Sequence, residues 1–442
     1  MLERLEARIN WERKDRSKGW RVDLAPIEDL VARAGFPSRG YGLCHIAGSK
    51  GKGSVANLIA AGLARAGQRV GVFGSPHVEE INERIRIDGQ SISGEALGEA
   101  LTAALQLVAD AEEAGSVGAE ASWFDIVTLA GLLAFREARV DWAVLEVGLG
   151  GRLDSTNVIE APDLSVVTSI ALEHTAILGD TLAAIAREKG GIVKAGTMLV
   201  TGTPPDGEAH GVLAEIAAVH AVEHVVAWSD ADRTFEEANA RVARVALDHL
   251  GRRVEGLSGE LLTPEVMAGA RLPGRMEWFE PDGIAVLLDG AHVASSMELA
   301  LDEALSKRAE PWCAVVAIHA EKNAAELVAP MARRGLRRVF ATTVPGSGVH
   351  HPAAAVAEAA AAEGLEVEAY DRPQEALEAA LGWALGWARG GSPDPTHGPA
   401  HGHAAGPGEG LARGGPGCVM VTGSLYLVGA LRARIEAVRG SR

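Results

Sequence analysis

Short β-prone runs alternate with longer helical patterns along most of the chain, and this alternation limits the possible folds more than any other feature. Five runs in the first half have the length and apolar content of buried strands, namely residues 41–48, 68–75, 141–148, 163–170 and 196–202. Patterns with helical spacing lie between them at residues 94–115, 123–138 and 180–193. Such alternation predicts an α/β fold with a mostly parallel sheet. In these folds functional groups collect at the carboxyl ends of the strands.

A second α/β series follows, with strand-like runs at residues 283–292, 312–320, 337–344, 365–371 and 417–424. The sequence LPGR at 272–275 interrupts the pattern just before this second series, which predicts a domain boundary there. The two predicted domains are residues 1–272 and residues 273–442. We expect the second to be a smaller, Rossmann-like α/β domain. Within it, residues 389–417 hold ten glycines, five prolines and three histidines, which predicts a mobile Gly/Pro-rich insertion with at most adventitious metal binding.

Charge and cysteine content exclude several classes of protein. The chain has 42 Lys and Arg against 59 Asp and Glu, a formal charge of −17, whereas nucleic-acid backbones and anionic membranes need a basic surface. Its apolar stretches reach about half of the roughly 20 residues that a membrane span needs. Neither a secretory signal nor a CxxC pair is visible, and the three cysteines are far apart. We therefore expect a cytoplasmic protein with buried thiols and small-molecule partners.

The most specific local signal is HIAGSKGKGSV at residues 45–55, where a strand runs through a glycine-rich turn into a helix that the pattern starts at Ser54. The glycines of the turn are Gly48, Gly51 and Gly53. Glycines allow backbone N–H groups to approach an anion, and a helix N-terminus adds positive potential. Lys52 would reach the β- and γ-phosphates of a nucleotide, and the Ser54 hydroxyl would meet a phosphate or its metal. The alternative is an ordinary glycine-rich turn with a surface lysine.

Two further segments place polar residues after predicted strands. In VLEVGLGGRLDSTN (144–157), Glu146 ends a strand and is placed to hold Mg²⁺, although a pair with Arg152 is the alternative. In residues 169–193, a strand leads to Glu173 and His174, and a helix capped by residue 180 or 181 ends near Lys189. A lone histidine or lysine in such a place is more often structural. The functional interpretation depends on all three strand ends sharing one edge of the sheet.

Seven blocks of sequence resemble one enzyme family in their order along the chain. They are HIAGSKGKGS, GSPH with INERI, VLEVGLGGRLDSTN, LEHTAILGDTLAAIAREKGGI, LPGR, LLDGAH and VTGSLYLVG, between about residues 41 and 431. The family is folylpolyglutamate synthase/dihydrofolate synthase, a group of Mur-type ATP-dependent amide ligases. The resemblance implies a P-loop-type first domain, a monomer, and a role in folate biosynthesis. It also implies a reaction in which ATP activates a folate or dihydropteroate carboxylate as an acyl phosphate that L-glutamate then attacks.

The resemblance also implies roles for individual residues. The triphosphate would be held by Gly48, Gly51, Lys52, Gly53 and Ser54. Two Mg²⁺ ions would be bound by Ser75, Glu146, His174 and Lys189, the last as a carbamate. Asn239 would contact adenine, Arg275 the γ-phosphate, and Asp289 with His292 the nucleotide from the second domain. Lys52, Lys189, His174 and Arg275 would form the catalytic set. His319, Lys322 and Ser424 are candidates for the amino-acid site.

Some positions depart from the family pattern. Lys50 stands where Asn is usual, Glu173 where Asp is usual, and Val293 where Asn is usual. Glu236 replaces a usual Gln, and residues 320–323 replace an Asp–Lys–Asp type of sequence. These changes leave two alternatives open, a Mur-type ligase for a different acid or amino acid, and a nucleotide-binding relative or simple P-loop NTPase. Whether one or both folate reactions are catalysed also stays open.

Overall fold

The computed structural model describes residues 2–10, 23–36, 40–232, 234–309, 311–345, 350–388 and 417–439. The predicted insertion at 389–417 lies outside the described residues, apart from Gly417. The chain divides into two compact units, Met1–Leu272 and Pro273–Arg442. Among the described residues, every helix is too short or too polar to cross a membrane.

Unit 1 contains eight strands and ten helices among its described residues. The strands are β1 (Gly42–Ala47), β2 (Val70–Phe73), β3 (Ile85–Ile87), β4 (Gln90–Ser91), β5 (Trp142–Glu146), β6 (Leu164–Val167), β7 (Met198–Thr201) and β8 (His224–Val226). The helices are α1 (Leu2–Glu6), α2 (Ala25–Arg33), α3 (Lys52–Arg65), α4 (Gly94–Ala114), α5 (Trp123–Ala138), α6 (Thr175–Leu178), α7 (Leu182–Gly190), α8 (Glu208–Val219), α9 (Phe235–Leu250) and α10 (Pro264–Gly269).

The eight strands of unit 1 form one sheet in the order β4-β3-β2-β5-β1-β6-β7-β8. The six strands from β2 to β8 are parallel, whereas β3 and β4 form an antiparallel extension at one edge. In this order β1 lies between β5 and β6. The carboxyl ends of these three strands are therefore neighbours, and each leads into one of the segments that the sequence singled out.

Apolar clusters cover both faces of this sheet. One cluster joins α4 and α5 to the strands through residues such as Leu101, Leu129 and Phe135. A second joins α3 and α9 to the strands through residues such as Ile59 and Leu247. The strands between them are buried on both faces, which explains their nearly continuous apolar sequences.

Local capping explains where several helices begin. Ser93 accepts a hydrogen bond from the N–H of Ala96 at the start of α4, and Ser122 with Asp125 forms a capping box at the start of α5. Thr181 caps α7 by accepting from the N–H of Ala184, so the cap predicted at residue 180 or 181 is at 181. A left-handed glycine, Gly115 with φ 63°, ends α4.

Unit 2 contains six strands and five helices among its described residues. The strands are β9 (Glu277–Phe279), β10 (Val286–Leu288), β11 (Trp312–Val316), β12 (Arg338–Thr342), β13 (Glu366–Tyr370) and β14 (Cys418–Thr422). The helices are α11 (Ala294–Lys307), α12 (Ala324–Arg333), α13 (Ala353–Ala362), α14 (Pro373–Ala388) and α15 (Leu425–Arg439). The sheet order is β13-β12-β11-β14-β10-β9, and β9 is antiparallel to its neighbour. Two parallel-rich sheets confirm the predicted α/β class.

Candidate active site

The glycine-rich turn after β1 requires glycine at two positions. Gly48 has φ 144°, and a Cβ there would lie 1.9 Å from Thr168 Oγ1. Gly51 has φ 83°, and a Cβ there would lie 2.1 Å from Asn239 Oδ1. Helix α3 begins at Lys52, two residues earlier than the pattern indicated, because Gly51 serves as its left-handed N-cap without a side-chain cap. The first N–H groups of α3 are thus left for another acceptor, which suits an anion.

The turn is held from the end of β6. Thr168 Oγ1 donates to the carbonyl of Lys50 at 2.5 Å, and Ser169 Oγ accepts from the N–H of Lys50 at 3.0 Å. The N–H of Ser49 donates to the carbonyl of Ser169 at 2.7 Å. Since β1 and β6 are paired, these bonds fix the turn to the sheet rather than leaving it as a loose surface loop.

Two lysine side chains share one acceptor in this turn. Lys52 Nζ donates to the carbonyl of Gly48 at 3.1 Å, and Lys189 Nζ donates to the same oxygen at 2.9 Å. Lys189 is only 2% exposed, and its ammonium also donates to Glu173 Oε1 at 3.0 Å. Burial and the charge of Lys52 together lower the pKa of Lys189 to about 8, against the opposing effect of Glu173. The turn therefore collects positive charge from the start of α3 and from α7.

Glu173 is the carboxylate that balances these lysines. Burial raises its pKa, but the charges of Lys189, Lys52 and Lys50 together bring the pKa below its ordinary value. Lys50 Nζ lies 4.0 Å from Glu173 Oε2. Lys50 and Glu173 are two of the positions that depart from the family pattern, so the structure shows these departures as partners in one ion pair.

Glu146 lies on the other side of the turn, where β5 ends. Its side chain is 7% exposed, and its Oε2 accepts from the N–H of Ser75 at 3.2 Å. A Cβ on Gly53 or on Gly74 would lie 3.2 Å from the same oxygen. Glu146 therefore lies against the first turn of α3 and against the residues that follow β2. Glycine at both positions leaves room for the carboxylate.

The side chain of Arg86 on β3 contacts α3 near Glu146. Its Nη2 donates to Asn57 Oδ1 at 2.5 Å, and Asn57 Nδ2 donates to the carbonyl of Ala270 at 3.2 Å. Burial lowers the pKa of Arg86, while the charges of Glu146 and Glu83 act in the opposite direction. The guanidinium thus supplies a fixed positive charge near Glu146. Sequence reasoning missed this residue, because an arginine in a strand of three residues has no distinctive pattern.

The side chains near Glu146 fit a magnesium ion better than a transition metal. Mg²⁺ prefers oxygen ligands and usually takes only one or two carboxylates, with water and phosphate oxygens completing its shell. Within the described part of the chain, no group of three or more His, Cys, Asp or Glu side chains could form a metal site by itself. Ser75 contacts Glu146 through its backbone N–H. His174 lies on a different segment, directly after Glu173, and has a left-handed conformation with φ 47° at the start of α6.

The glycine-rich loop after β5 packs behind Lys189. A Cβ on Gly151 would lie 2.8 Å from the carbonyl oxygens of both Glu188 and Lys189. Arg152 pairs with Glu188 at 2.9 Å, so its ionic partner is on α7. Asp154 is buried and accepts from the N–H of Leu149 at 2.8 Å. Burial raises its pKa, and its hydrogen bonds oppose the increase. This packing fixes the end of α7 and hence the lysine.

Three predicted nucleotide contacts lie in unit 2, around Gly290. Asp289 accepts from the N–H groups of Met276 at 3.0 Å and Ala291 at 2.9 Å. Burial raises the pKa of Asp289, and the charge of Arg275 opposes the shift. His292 Nδ1 donates to the Gly290 carbonyl at 2.9 Å, and a Cβ on Gly290 would lie 3.4 Å from Arg275 Nη1. Asn239, the predicted adenine contact, lies on α9 in unit 1 and packs on Gly51.

The departure at Val293 has a visible local consequence. Val293 is the N-cap of α11 and forms no side-chain capping hydrogen bond. An asparagine at this position would supply the missing acceptor, typically worth about 1 kcal/mol. The start of α11, next to His292, is therefore less firmly held than in the family pattern.

The candidates for the amino-acid site lie together at one edge of the unit 2 sheet. His319 follows β11 and forms an antiparallel bridge with His350. Ser424 follows β14, and its Oγ lies 2.8 Å from His350 Nε2. The carbonyl of Lys322 accepts from His351 Nε2 at 2.9 Å. Sequence reasoning missed His350 and His351, and the only signal for them was two adjacent histidines after a predicted strand.

Comparison with known proteins identifies close relatives. Residues 274–386 match the family described as Mur ligase, glutamate ligase domain. A folylpolyglutamate synthase of Lacticaseibacillus casei is 31% identical over 362 residues, which cover 74% of this chain and 82% of that protein. A solved structure of Mycobacterium tuberculosis folylpolyglutamate synthase complexed with ADP has a TM-score of 0.79 and 26% identity, and the match covers 98% of this chain and 97% of that one.

Another relative is longer than this chain. A probable bifunctional folylpolyglutamate synthase/dihydropteroate synthase of Haloferax volcanii is 37% identical over 295 residues, or 60% of this chain. The match spans only 34% of that relative's length.

Proposed function

Because this chain belongs to the folylpolyglutamate synthase/dihydrofolate synthase family, we propose that it is an ATP-dependent ligase that joins L-glutamate to the carboxylate of a folate or a dihydropteroate. The observation that carries the proposal is the convergence of Lys52, Lys189 and Glu173 on the Gly48 turn, with Glu146 at the first turn of the same helix. A turn built only for structure would not need two buried or half-buried lysines on one carbonyl.

The reaction places its main demand on charge. An acid carboxylate attacks the γ-phosphorus of ATP, which forms an acyl phosphate and releases ADP. The amine of glutamate then attacks the acyl carbon, and inorganic phosphate leaves. Several anionic oxygens must be neutralised while the substrates are held in line, so positioning and electrostatic stabilisation supply most of the rate.

The residues of unit 1 match these demands. The N–H groups at the start of α3 would bind the β-phosphate, and Lys52 would exchange its bond to the Gly48 carbonyl for one to a phosphate oxygen. Ser54 lies in the same first turn. Arg275 of unit 2 would bind the γ-phosphate, and Asn239, Asp289 and His292 would contact the nucleotide.

Magnesium would be held by Ser75, Glu146 and His174. When bound, it neutralises phosphate oxygens and orients the γ-phosphate. The Arg86 guanidinium lies near Glu146 and interacts with its charge, and the N–H of Ser75 fixes one carboxylate oxygen. These contacts prepare oxygen ligands in a place where the helix start already attracts an anion.

We propose that Lys189 reacts with CO₂ to give a carbamate, which would hold a second Mg²⁺. Lys50 and Lys52 lie close enough to Glu173 to neutralise the additional negative charge. Lys189→Arg keeps a cation but cannot form a carbamate, so it separates the two roles. We expect Lys189→Arg to lose most of its activity and to lose the carbamate signal in ¹³C NMR after ¹³C-bicarbonate labelling. An active Lys189→Arg enzyme would remove the carbamate from the mechanism.

The function is tested by ADP release from the purified protein with ATP and Mg²⁺. We expect release that requires both L-glutamate and either dihydropteroate or a tetrahydrofolate. Lys52→Ala should abolish release and leave the unfolding midpoint nearly unchanged, since the Lys52 side chain is half-buried and makes its bond to a loop carbonyl. No glutamate-dependent release with either acid would contradict the proposal.

A Mur-type ligase for a different acid or amino acid is the second candidate. The uncapped start of α11 at Val293 and the Lys50–Glu173 pair favour it, because both distinguish this chain from the family pattern. A panel of acids and amino acids in the same assay separates the two candidates, and turnover with folates and glutamate alone would eliminate the second. The monomeric state and the cytoplasmic location stay predictions.

A further inference from the structure

Two adjacent histidines connect the candidates for the amino-acid site in unit 2. His350 bridges to the backbone of His319, and His351 Nε2 donates to the carbonyl of Lys322 at 2.9 Å. His350 Nε2 lies 2.8 Å from Ser424 Oγ. The segments that follow β11 and β14 are therefore both attached to this pair, which comes from the chain after β12.

The Ser424 hydroxyl has limited hydrogen-bonding capacity. It has one proton to donate and two lone pairs to accept. Its Oγ already accepts from the N–H of Tyr426 at 3.2 Å, and Ser424 is only 5% exposed. If His350 Nε2 carries a proton, Oγ accepts from both groups and keeps its own proton for a further acceptor. If Nε2 carries no proton, Oγ must donate its own proton to His350 and has none left for a further acceptor.

The His350 ring is held in place on two sides. Tyr426 packs edge-on against it, with ring centroids 5.8 Å apart and an interplanar angle of 90°. The His319 ring lies 6.0 Å away at 63°. Burial, together with the nearby His319 and His351, lowers the pKa of His350 to about 4. The imidazole is therefore neutral at neutral pH and has a single N–H, so its tautomer decides what Ser424 can donate.

The neighbouring histidine shows how tautomers are set in this cluster. His319 Nδ1 accepts from the N–H of Glu321 at 3.2 Å, so the proton of a neutral His319 is on Nε2. His351 Nε2 faces a carbonyl oxygen, which can only accept, so it also carries its proton there. Both neighbours of His350 are thus Nε2–H donors. If His350 has the same tautomer, the Ser424 hydroxyl keeps its proton for a carboxylate, which only accepts.

We propose that His350 is a positioning residue that donates its Nε2–H to Ser424 Oγ and thereby leaves the Ser424 hydroxyl to donate to a carboxylate of the amino-acid substrate. This inference rests on the proposed function, because it concerns the substrate that receives the activated acyl group. It names a residue outside the motifs of the family pattern.

Kinetics of matched variants test the role. His350→Leu removes the donor, whereas His350→Gln keeps an N–H at similar reach. We expect His350→Leu to raise the KM for glutamate by about tenfold or more with the KM for ATP nearly unchanged, and His350→Gln to stay within about threefold of wild type. His220→Gln, a substitution at the end of α8 in unit 1, is the control and should change neither constant.

A double-variant cycle shows whether His350 acts through Ser424. If it does, His350→Leu/Ser424→Ala will raise the KM for glutamate no more than either single change, since both break one link. The proposal would be overturned if the increases in the KM for glutamate from the two single changes multiply in the double variant. It would also be overturned if His350→Leu leaves this KM unchanged.

A spectroscopic test does not depend on turnover. Long-range ¹H–¹⁵N NMR of histidine-labelled protein reports the tautomer of each ring, and the His350 signals are those absent from His350→Gln. We expect the Nε2–H form, and the Nδ1–H form would overturn the proposal. Absence of glutamate-dependent ADP release from wild type would instead overturn the proposed function, and the NMR result would still decide the tautomer of His350.

Discussion

Replacing Gly48 with alanine tests the geometry of the phosphate-binding turn directly. The new Cβ would lie 1.9 Å from Thr168 Oγ1, 3.0 Å from the Thr168 backbone nitrogen and 3.1 Å from its Cβ. The backbone nitrogen directly follows β6 and cannot move away without breaking its bond to the Ala47 carbonyl. In addition, φ 144° is a conformation that only glycine adopts readily.

These two effects give the size of the expected loss. A non-glycine residue in a region of this kind costs about 1–3 kcal/mol. Overpacking by one methyl group in a filled site costs about 1–3 kcal/mol more. Gly48→Ala should therefore lower the free energy of unfolding by about 2–6 kcal/mol, a large part of the roughly 5–15 kcal/mol of a typical domain. Since the Gly48 carbonyl accepts from two lysines, ADP affinity should fall as well.

Calorimetry and urea unfolding measure this loss, and isothermal titration with ADP and Mg²⁺ measures the affinity. Gly94→Ala is the matched control, because a Cβ at the start of α4 would meet nothing within 4 Å, so the change should stay within about 0.5 kcal/mol. Thr168→Ala removes Oγ1, so the double variant should be less destabilised than the sum of the singles by about 1–3 kcal/mol. A loss below about 1 kcal/mol for Gly48→Ala, or strict additivity with Thr168→Ala, would refute the geometry.

Three other predictions concern stability. Burial lowers the pKa of His45 to about 3 from 6.5, so the unfolded state binds a proton that the native state does not between these values. Unfolding free energy should therefore drop by about 2–3 kcal/mol between about pH 7 and pH 4.5, and His45→Gln should flatten that part of the urea-derived pH profile. Glu173→Gln leaves the buried Lys189 ammonium without its carboxylate and should cost about 2–4 kcal/mol, largely restored by adding Lys189→Met; no restoration would argue against the buried pair. Gly211→Ala, in α8 with open space around its Cβ, should stabilise by about 0.5–1 kcal/mol, and a lower melting midpoint would contradict this.

Much of the fold follows from local patterns. The longer strands and the helices α4, α5 and α7 lie where apolar periodicity placed them, because the spacing of apolar residues shows which faces of an element are buried. The short strands β3, β4, β8 and β9 escaped this reasoning, since two or three residues are too few to show a period, whereas β10 was found because it lies in a longer apolar run. The start of α3 at Lys52 was also missed, because a left-handed Gly51 can cap a helix without a polar side chain.

The ion pairs of the site did not follow from local patterns. Arg152 pairs with Glu188 rather than with Glu146, and Lys50 pairs with Glu173. Each of these contacts joins segments far apart in the chain. Their geometry depends on α7 packing behind the loop after β5, which the spacing of residues in either segment does not reveal.

The amino-acid sequence by itself determined the alternation of strands and helices, the glycine-rich turn, and the polar residues that end three strands. Only the tertiary structure decided that β1 lies between β5 and β6, and hence that the turn meets Glu146 on one side and Glu173 on the other. The physical reason is that apolar periodicity reports how deeply a strand is buried. Which strands become neighbours depends on long-range backbone hydrogen bonds and on helix packing. Strands of similar apolar composition can form these contacts equally well, so their composition does not predict the strand order.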